Sequence, residues 1–420
     1  MWWVAVAGAA EPVELTLAEA LDRLVADGPG VAAAHARADA LRGVARQASA
    51  AWLPVVSATG TYVRNDSEVV LSFGDLLAQL PIPVDVDAPP ETVIQPLEVW
   101  NGAVTARVPL VNASAWADSR AAQLGARSGA LGADEVDLEL EAAVVAAAAS
   151  EEAAAGVVAA AERAVEVALA HARSTKIALE AGTATKVDVL AADAEVARRK
   201  SELVATRSAH DKALDQAGVL LGVDGPVRVV LPESPPATTP GDRPALAAAE
   251  AQVASAKARV SSAWLRHLPT VSATGLAQAA TVPYATGNDT QWRVGLEATW
   301  TAYDGGLRYG RLEQARAELA LAEANLRSET LRVSKELRDA ERDLAVAREQ
   351  VALSEEQARL AAEAAAVAEK GLAAGTTSAL LARDVEQQAF AAEVGVVGAR
   401  ARLRVAEAQW RRAGGSGQRW

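Results

Sequence analysis

The residues able to do chemistry are few and poorly placed for it. The 420-residue chain has no cysteine and only four histidines, His35, His171, His210 and His267. No spacing among them, or to acidic neighbours, matches a metal-ligand pattern. Adjacent acids stand at Glu151-Glu152 and Glu355-Glu356; on helices such pairs read as solvated surface rather than as an acid and base in one site. Asp304-Gly305-Gly306 suggests a turn over an anion, but a capped strand-to-helix junction explains it better. No phosphate loop, nucleophile elbow or dinucleotide fingerprint is present. No catalytic residue, metal or cofactor is expected, and the chain does not read as an enzyme.

Composition narrows the class further. A formal charge of −13 argues against nucleic acid as a partner. The missing cysteine excludes a disulfide framework and an acylated N-terminal cysteine anchor. Aromatic residues make up 4% of the chain, ten of them Trp, so alanine must do the packing. Small side chains suit thin helical layers in close contact. Residues 1–10, apolar and then small, read as the remnant of a secretory signal. No segment reads as a transmembrane helix. The uncharged stretch from Leu268 to Asn288 is long enough but contains Pro269, Gly275 and Pro283, so a membrane crossing would have to use strands.

These elements occur twice. Pro54-Val-Val-Ser-Ala-Thr-Gly60 returns as Pro269-Thr-Val-Ser-Ala-Thr-Gly275, the segment from Trp100 to Asn112 lines up with that from Trp292 to Asp304, and Ala181-Gly-Thr-Ala-Thr matches Ala374-Gly-Thr-Thr-Ser. Three matches in one order indicate a duplicated unit. Repeat 1 spans 11–230, a Pro-rich linker 231–244, repeat 2 245–413, and a tail 414–420. The first copy carries extra residues around Phe73 to Ile94, including Pro81, Pro83, Pro89 and Pro90, which read as a loop.

Within each unit the periods change. Trp292, Val294, Leu296, Ala298, Trp300 and Ala302 fall on one face of a strand; Arg293, Gly295, Glu297, Thr299 and Thr301 fall on the other. Trp100, Gly102, Val104, Ala106, Val108 and Leu110 keep the same register in the first copy. Strands are expected at about 54–66, 100–111, 269–283 and 291–303. Trp100, Val104, Val108, Trp292, Leu296 and Trp300 are expected to face lipid with the tryptophans in an interfacial belt; the alternative is an ordinary half-buried soluble sheet with core tryptophans. Asn112 and Asp304 read as N-caps of long helices at about 113–181 and 305–374. Heptads such as Leu312, Leu319, Leu326 and Val333, then Leu337, Leu344 and Val351, then Leu353, Leu360 and Val367, predict coiled-coil packing, with local supercoil changes at each shift. The second helix would run about 105 Å. After Gly182 and Gly375 the helical pattern returns, over about 184–221 and 377–412. Four strands cannot close a barrel, and an open edge cannot face lipid, so a spanning chain must oligomerise.

The approach to the first strand (Ala48 to Pro54, and Ala263 to Pro269), the Tyr303-Asp-Gly-Gly306 turn, the Gly182-Thr-Ala-Thr-Lys-Val-Asp-Val-Leu190 turn and the N-terminal Leu15-Thr-Leu-Ala-Glu-Ala-Leu21 resemble the TolC-like outer-membrane efflux proteins. The resemblance covers nearly the whole chain. It implies a mainly α fold with a membrane β-barrel contribution: two repeats of helix, β-hairpin and long helical hairpin. It further implies a homotrimer with one twelve-stranded barrel in the outer membrane of a Gram-negative bacterium and a coiled-coil periplasmic tunnel. The partners it implies are a periplasmic adaptor (membrane fusion) protein, an inner-membrane pump and outer-membrane lipid, with the channel passive. Gly182, Lys186, Asp188, Gly375 and Asp384 would lie at the gated periplasmic tip, and Asn112, Asp304, Gly305 and Gly306 at the strand-to-helix turns. Behind the second Gly turn the nearest acid is Asp384, which puts an acidic ring in doubt. The alternative is a soluble coiled-coil scaffold or adhesin without transport activity.

Overall fold

The computed structural model describes residues 11–72, 92–232, 241–282, 288–374 and 376–415. In chain order the elements are β1 (Val13–Thr16), α1 (Leu17–Asp27), α2 (Pro29–Ala50), β2 (Val55–Arg64), β3 (Val69–Leu71), β4 (Thr92–Gln95), β5 (Glu98–Val111), α3 (Ala113–Glu180), α4 (Lys186–Leu221), β6 (Val227–Val230), α5 (Pro244–Leu265), β7 (Thr270–Ala280), β8 (Thr290–Thr299), α6 (Leu307–Ala373) and α7 (Ala379–Ala413). The fold is mainly helical. α3 has 68 residues and α6 has 67, each about 100 Å long at 1.5 Å per residue.

The chain divides into two compact units. The first, residues 42–125 and 254–321, holds an antiparallel sheet in the order β2-β5-β7-β8. Period two alone leaves the neighbours of each strand open, and here the pairing supplies them. Tyr62 lies opposite Trp100, Ala58 opposite Val104, Val104 opposite Ala277, and Ala277 opposite Trp292. The apolar positions of all four strands therefore share one face. Next to the sheet, α2, α3 and α5 are tied by small hydroxyls. Ser49 Oγ meets Ser119 Oγ at 2.8 Å, and the buried Ser255 donates to the Ala121 carbonyl at 2.8 Å. The extra segment of the first copy is not wholly loop. β3 and β4 pair across its base, because Val69, Val70 and Val93 suit a strand; residues 73–91 lie outside the described residues.

The second unit comprises residues 1–41, 126–253 and 322–420. Two short strands absent from the sequence expectation pair there in parallel, β1 with β6, so the segment from Leu15 begins in a strand. Four residues carry too little periodicity to announce a strand, and their partners are about 210 positions away. α1 follows at once, capped reciprocally by Thr16 and Glu19. Leu17, Leu21, Leu24, Val144, Val145, Leu221 and Val227 form the core beneath these strands. A stretch within α3 has mean hydropathy 1.5 and meets the length and composition requirements of a membrane span, correcting the expectation that no segment does. Alanine and valine score as apolar whatever they pack on, and Val144, Val145 and Ala148 of α3 lie in this core.

The helical hairpins α3–α4 and α6–α7 close on ion pairs and alanines. Arg207 meets Glu162 at 2.6 Å and Lys176 meets Asp193 at 3.0 Å in the first, and Arg400 meets Glu355 at 2.7 Å in the second. The shift in the α6 heptads is a change of face. Leu344 is buried with Ala347 and Ala406, whereas Leu353, Leu360 and Val367 are 63%, 50% and 70% exposed. Val351 and Leu353, two residues apart, lie about 200° apart around a helix.

Candidate membrane sheet and hairpin turns

The sheet has one apolar and one polar face, and two unpaired edges, β2 and β8. Trp100, Val104, Val108, Trp292 and Leu296 all lie on the apolar face by register. Trp292, Val294 and Leu296 are each at least 75% exposed, so no described residue covers that face there. The opposite face carries Ser57, Thr59, Thr61, Thr105, Arg107, Thr274, Arg293 and Glu297. On it Arg107 and Glu297 form an ion pair at 2.7 Å, reaching across β7. Sequence reasoning missed this pair because the partners stand 190 residues apart.

Trp300 stands at the margin of the sheet. β8 ends at Thr299, so Trp300 lies just past the strand, and its indole N–H donates to the His267 carbonyl at 3.2 Å. It joins an aromatic group at the helix end of the sheet: the rings of His267 and Tyr309 meet edge to face at 5.6 Å, and Trp52, Trp116 and Trp264 are exposed nearby in the chain. The rings of Tyr62 and Trp100 meet at a tilt, their centroids 4.5 Å apart, at the loop end, where Trp292 also lies. From Trp292 to Trp300 an extended chain covers about 26 Å, close to the ~25 Å apolar band of outer-membrane barrels.

At the strand-to-helix turns the two copies differ. Asn112 caps α3 directly, its Oδ1 accepting from the Ala115 amide at 3.1 Å. Asp304 is not the residue adjoining α6. Gly305 and Gly306, at φ +71° and +92°, intervene; the left-handed pair swings the chain back so that Asp304 still accepts from the Arg308 amide at 3.2 Å and side chain at 2.8 Å.

At the first hairpin turn Gly182 sits at φ +76°. The Gly182 amide donates to Leu179 O at 3.0 Å and the Thr183 amide to Ala178 O at 2.9 Å, the paired bonds of a Schellman stop. α4 then starts with a capping box: Asp188 N–H donates to Thr185 Oγ1, and Asp188 Oδ2 accepts from the Thr185 amide at 2.8 Å and hydroxyl at 2.7 Å. Those hydrogen bonds hold the Asp188 carboxyl below its ordinary range. Lys186, in the first turn of α4, is exposed. At the second turn Gly375 lies outside the described residues, but Thr376 N–H donates to Gly371 O at 2.8 Å, matching Thr183. α7 is capped by Ser378 alone, through the Leu381 amide. Asp384 is a turn deeper in α7, exposed, and accepts from Gln388 at 2.9 Å.

Three of the four histidines, His35, His210 and His267, bond a partner among the described residues. His35 bonds Asp137 at 2.9 Å, and no group of three potential ligands forms a metal site among the described residues. Glu151 is not a solvated surface acid. It is 4% exposed, bonded to His210 at 2.8 Å and to Arg228 at 3.2 Å, because α4 and β6 fold over it. Glu355 and Glu356 stay on the surface, paired with Arg400 and Arg359. A cavity of about 610 Å³ lies among α3, α4, α6 and α7, walled by alanines with His171, Phe390 and Glu386. Burial raises the Glu386 carboxyl.

No curated protein sequence matches the chain. Solved structures that share its fold include the outer-membrane channel OprN, at 21% identity and TM-score 0.78, covering 96% of this chain and 90% of that one; the outer membrane protein VceC of Vibrio cholerae, at 16% and 0.76, covering 96% of each; and the CmeC outer membrane channel of Campylobacter jejuni, at 14% and 0.80, covering 96% and 86%. The sequence profile of the outer membrane efflux proteins matches residues 20–223 and 240–416. The chain belongs to the outer membrane efflux protein family: it is an outer-membrane protein and a channel component, not an enzyme.

Proposed function

We propose that three copies of this chain close one twelve-stranded barrel in the outer membrane, and that their helices form a periplasmic tunnel through which substrates pass passively. The observation that carries this reading is the open sheet, apolar and uncovered on one face and unpaired at both edges. Unpaired strand edges in hydrocarbon cost several kcal/mol per lost hydrogen bond, so β8 of one copy must pair with β2 of the next. Two copies would give eight strands, a barrel filled by its own side chains; a duct needs more. The exposed stripe of Val346, Leu353, Leu360 and Val367 on α6 repeats every seven residues and suits a coiled-coil seam with a neighbouring copy.

The Gly182 and Gly375 turns form the closed periplasmic tip in this reading, with Lys186, Asp188 and Asp384 supplying its charges. Only Oδ2 of Asp188 is engaged in the cap, which leaves Oδ1 for an opposite charge or cation. Val187 and Leu380, at matching positions in the two turns, are 72% and 79% exposed and suit an adaptor protein that links the duct to an inner-membrane pump. Mass measurement after crosslinking in detergent tests the assembly. A trimer is expected; a stable monomer with a closed barrel of its own would overturn the proposal.

A further inference from the structure

Beside the sheet, α3, α5 and α6 share a spacing that separates two kinds of residue. Trp116 and Asp118 on α3, and Tyr309 and Arg311 on α6, stand two positions apart and hence about 200° apart around their helices; Trp264, at the end of α5, and Arg266, in the turn just after it, keep the same spacing. The aromatic members are 48%, 54% and 70% exposed. The charged members meet on the other side, around a cavity of about 300 Å³ that also takes in Arg259, Gln314 and Glu318. Its floor is Ala263 and Ala315, both buried, so short side chains leave the hollow open.

Three guanidiniums and two carboxylates line this hollow, and both carboxylates are occupied. Asp118 accepts from Arg266 at 2.8 Å. Glu318 meets Arg259 at 3.7 Å and accepts from Gln314 at 2.9 Å. Arg311 makes no ion pair among the described residues, and the neighbouring Arg308 is committed to Asp304. The hollow thus has one guanidinium in excess, its planar fork unused. A guanidinium among guanidiniums is relieved by an oxyanion, which it can bind through two parallel N–H donors.

We infer that Arg311, with Arg259 and Arg266 beside it, forms a binding site for a phosphate-class oxyanion at the helix end of the sheet. Placing it inside the duct rests on the export reading, in which the aromatic sides of these helices face the lipid headgroups; the site itself does not need the duct to conduct. The same chemistry is offered by a free oxyanion in the duct and by an anionic lipid headgroup.

The full chain in detergent is titrated with inorganic phosphate by calorimetry, and its retention of phosphatidylglycerol against phosphatidylcholine is read by native mass spectrometry. Arg311→Ala is compared with Arg316→Ala, which removes an equal charge from another side of the same helix. Phosphate binding at one per chain, weakened at least tenfold in Arg311→Ala and unchanged in Arg316→Ala, supports the site with a free anion. Phosphatidylglycerol retention lost only in Arg311→Ala supports it with a headgroup as occupant. Arg311→Lys should recover part of the affinity, keeping the charge without the fork. Binding of neither probe, or equal loss in Arg311→Ala and Arg316→Ala, overturns the inference. Because both readouts are binding, a protein that binds but never conducts would count against the duct alone.

Discussion

At the sheet, Val104 of the first copy and Leu296 of the second hold matching positions on one apolar face; at the hairpin turns, Asp188 of the first copy is matched by Leu381 of the second. The strands agree in register while the turns share only their exit. Thr183 and Thr376 make equivalent bonds back into the helix they follow, but α4 begins with a capping box and α7 with a lone serine. In the proposed barrel the media explain the difference. Every second residue on the face proposed to meet hydrocarbon is restricted, because one charge there costs several kcal/mol. At a helix start in water a single hydroxyl satisfies the amide that most needs it, and the second half of the box is dispensable.

The sheet half of this comparison carries the largest expected effects. Val104→Arg and Leu296→Arg should each cost about 2–4 kcal/mol near the midplane and abolish recovery in the outer membrane. Thr299→Arg should be tolerated, since the matching position of the first copy is already Arg107. If Leu296→Arg and Thr299→Arg fractionate alike, the face assignment is wrong.

Gly182→Ala comes next. Its left-handed backbone penalises a Cβ by about 1–2 kcal/mol, visible as a lower melting temperature of the assembled protein; an unchanged melt would mean the turn relaxes. Loss of the N-cap hydroxyl in Thr185→Ala should cost about 0.5–2 kcal/mol. Ser378→Ala should cost less, because at the second turn no carboxylate loses a partner. A larger effect at Ser378 would reverse the contrast.

The smallest effect is in acid. The Asp188 carboxyl is held below its ordinary 3.8 by the Thr185 hydroxyl and amide. Its contribution is therefore present above that value and lost as pH falls through the lower folded one. Amide exchange at the start of α4 should quicken below about pH 4 relative to α7, whose Ser378 cap does not titrate. If Asp188 also holds the gate, Asp188→Asn should raise conductance in planar bilayers at neutral pH; a change in local exchange without any in conductance would confine it to capping.

How much of this was legible depended on sequence distance. Gly182, Thr185 and Asp188 act on amides within a few residues, so their types and order announce the turn. Glu151 looked like a solvated acid because its partners, His210 and Arg228, are 59 and 77 residues away. Asp304 looked like a cap adjoining its helix: the two glycines are visible in the sequence, but the left-handed backbone of both, which delays the helix to Leu307, is not. The hollow at Arg311 could not be read, although the paired aromatic and charged positions on three helices were visible signals; only packing says that those helices are neighbours.

The duplication, the period-two strands with one apolar face, the long helices and the glycine stops are legible in the residues alone, because each depends on backbone geometry repeating over two to seven residues. The tertiary structure decided the strand order β2-β5-β7-β8, the parallel pairing of β1 with β6, the Arg107–Glu297 bridge and the face each heptad run presents. Periodicity fixes which side of an element is apolar, but not which element it meets. That choice is made when segments 100 to 200 residues apart pack together, and a strand edge or a guanidinium takes whichever partner the packing brings within reach.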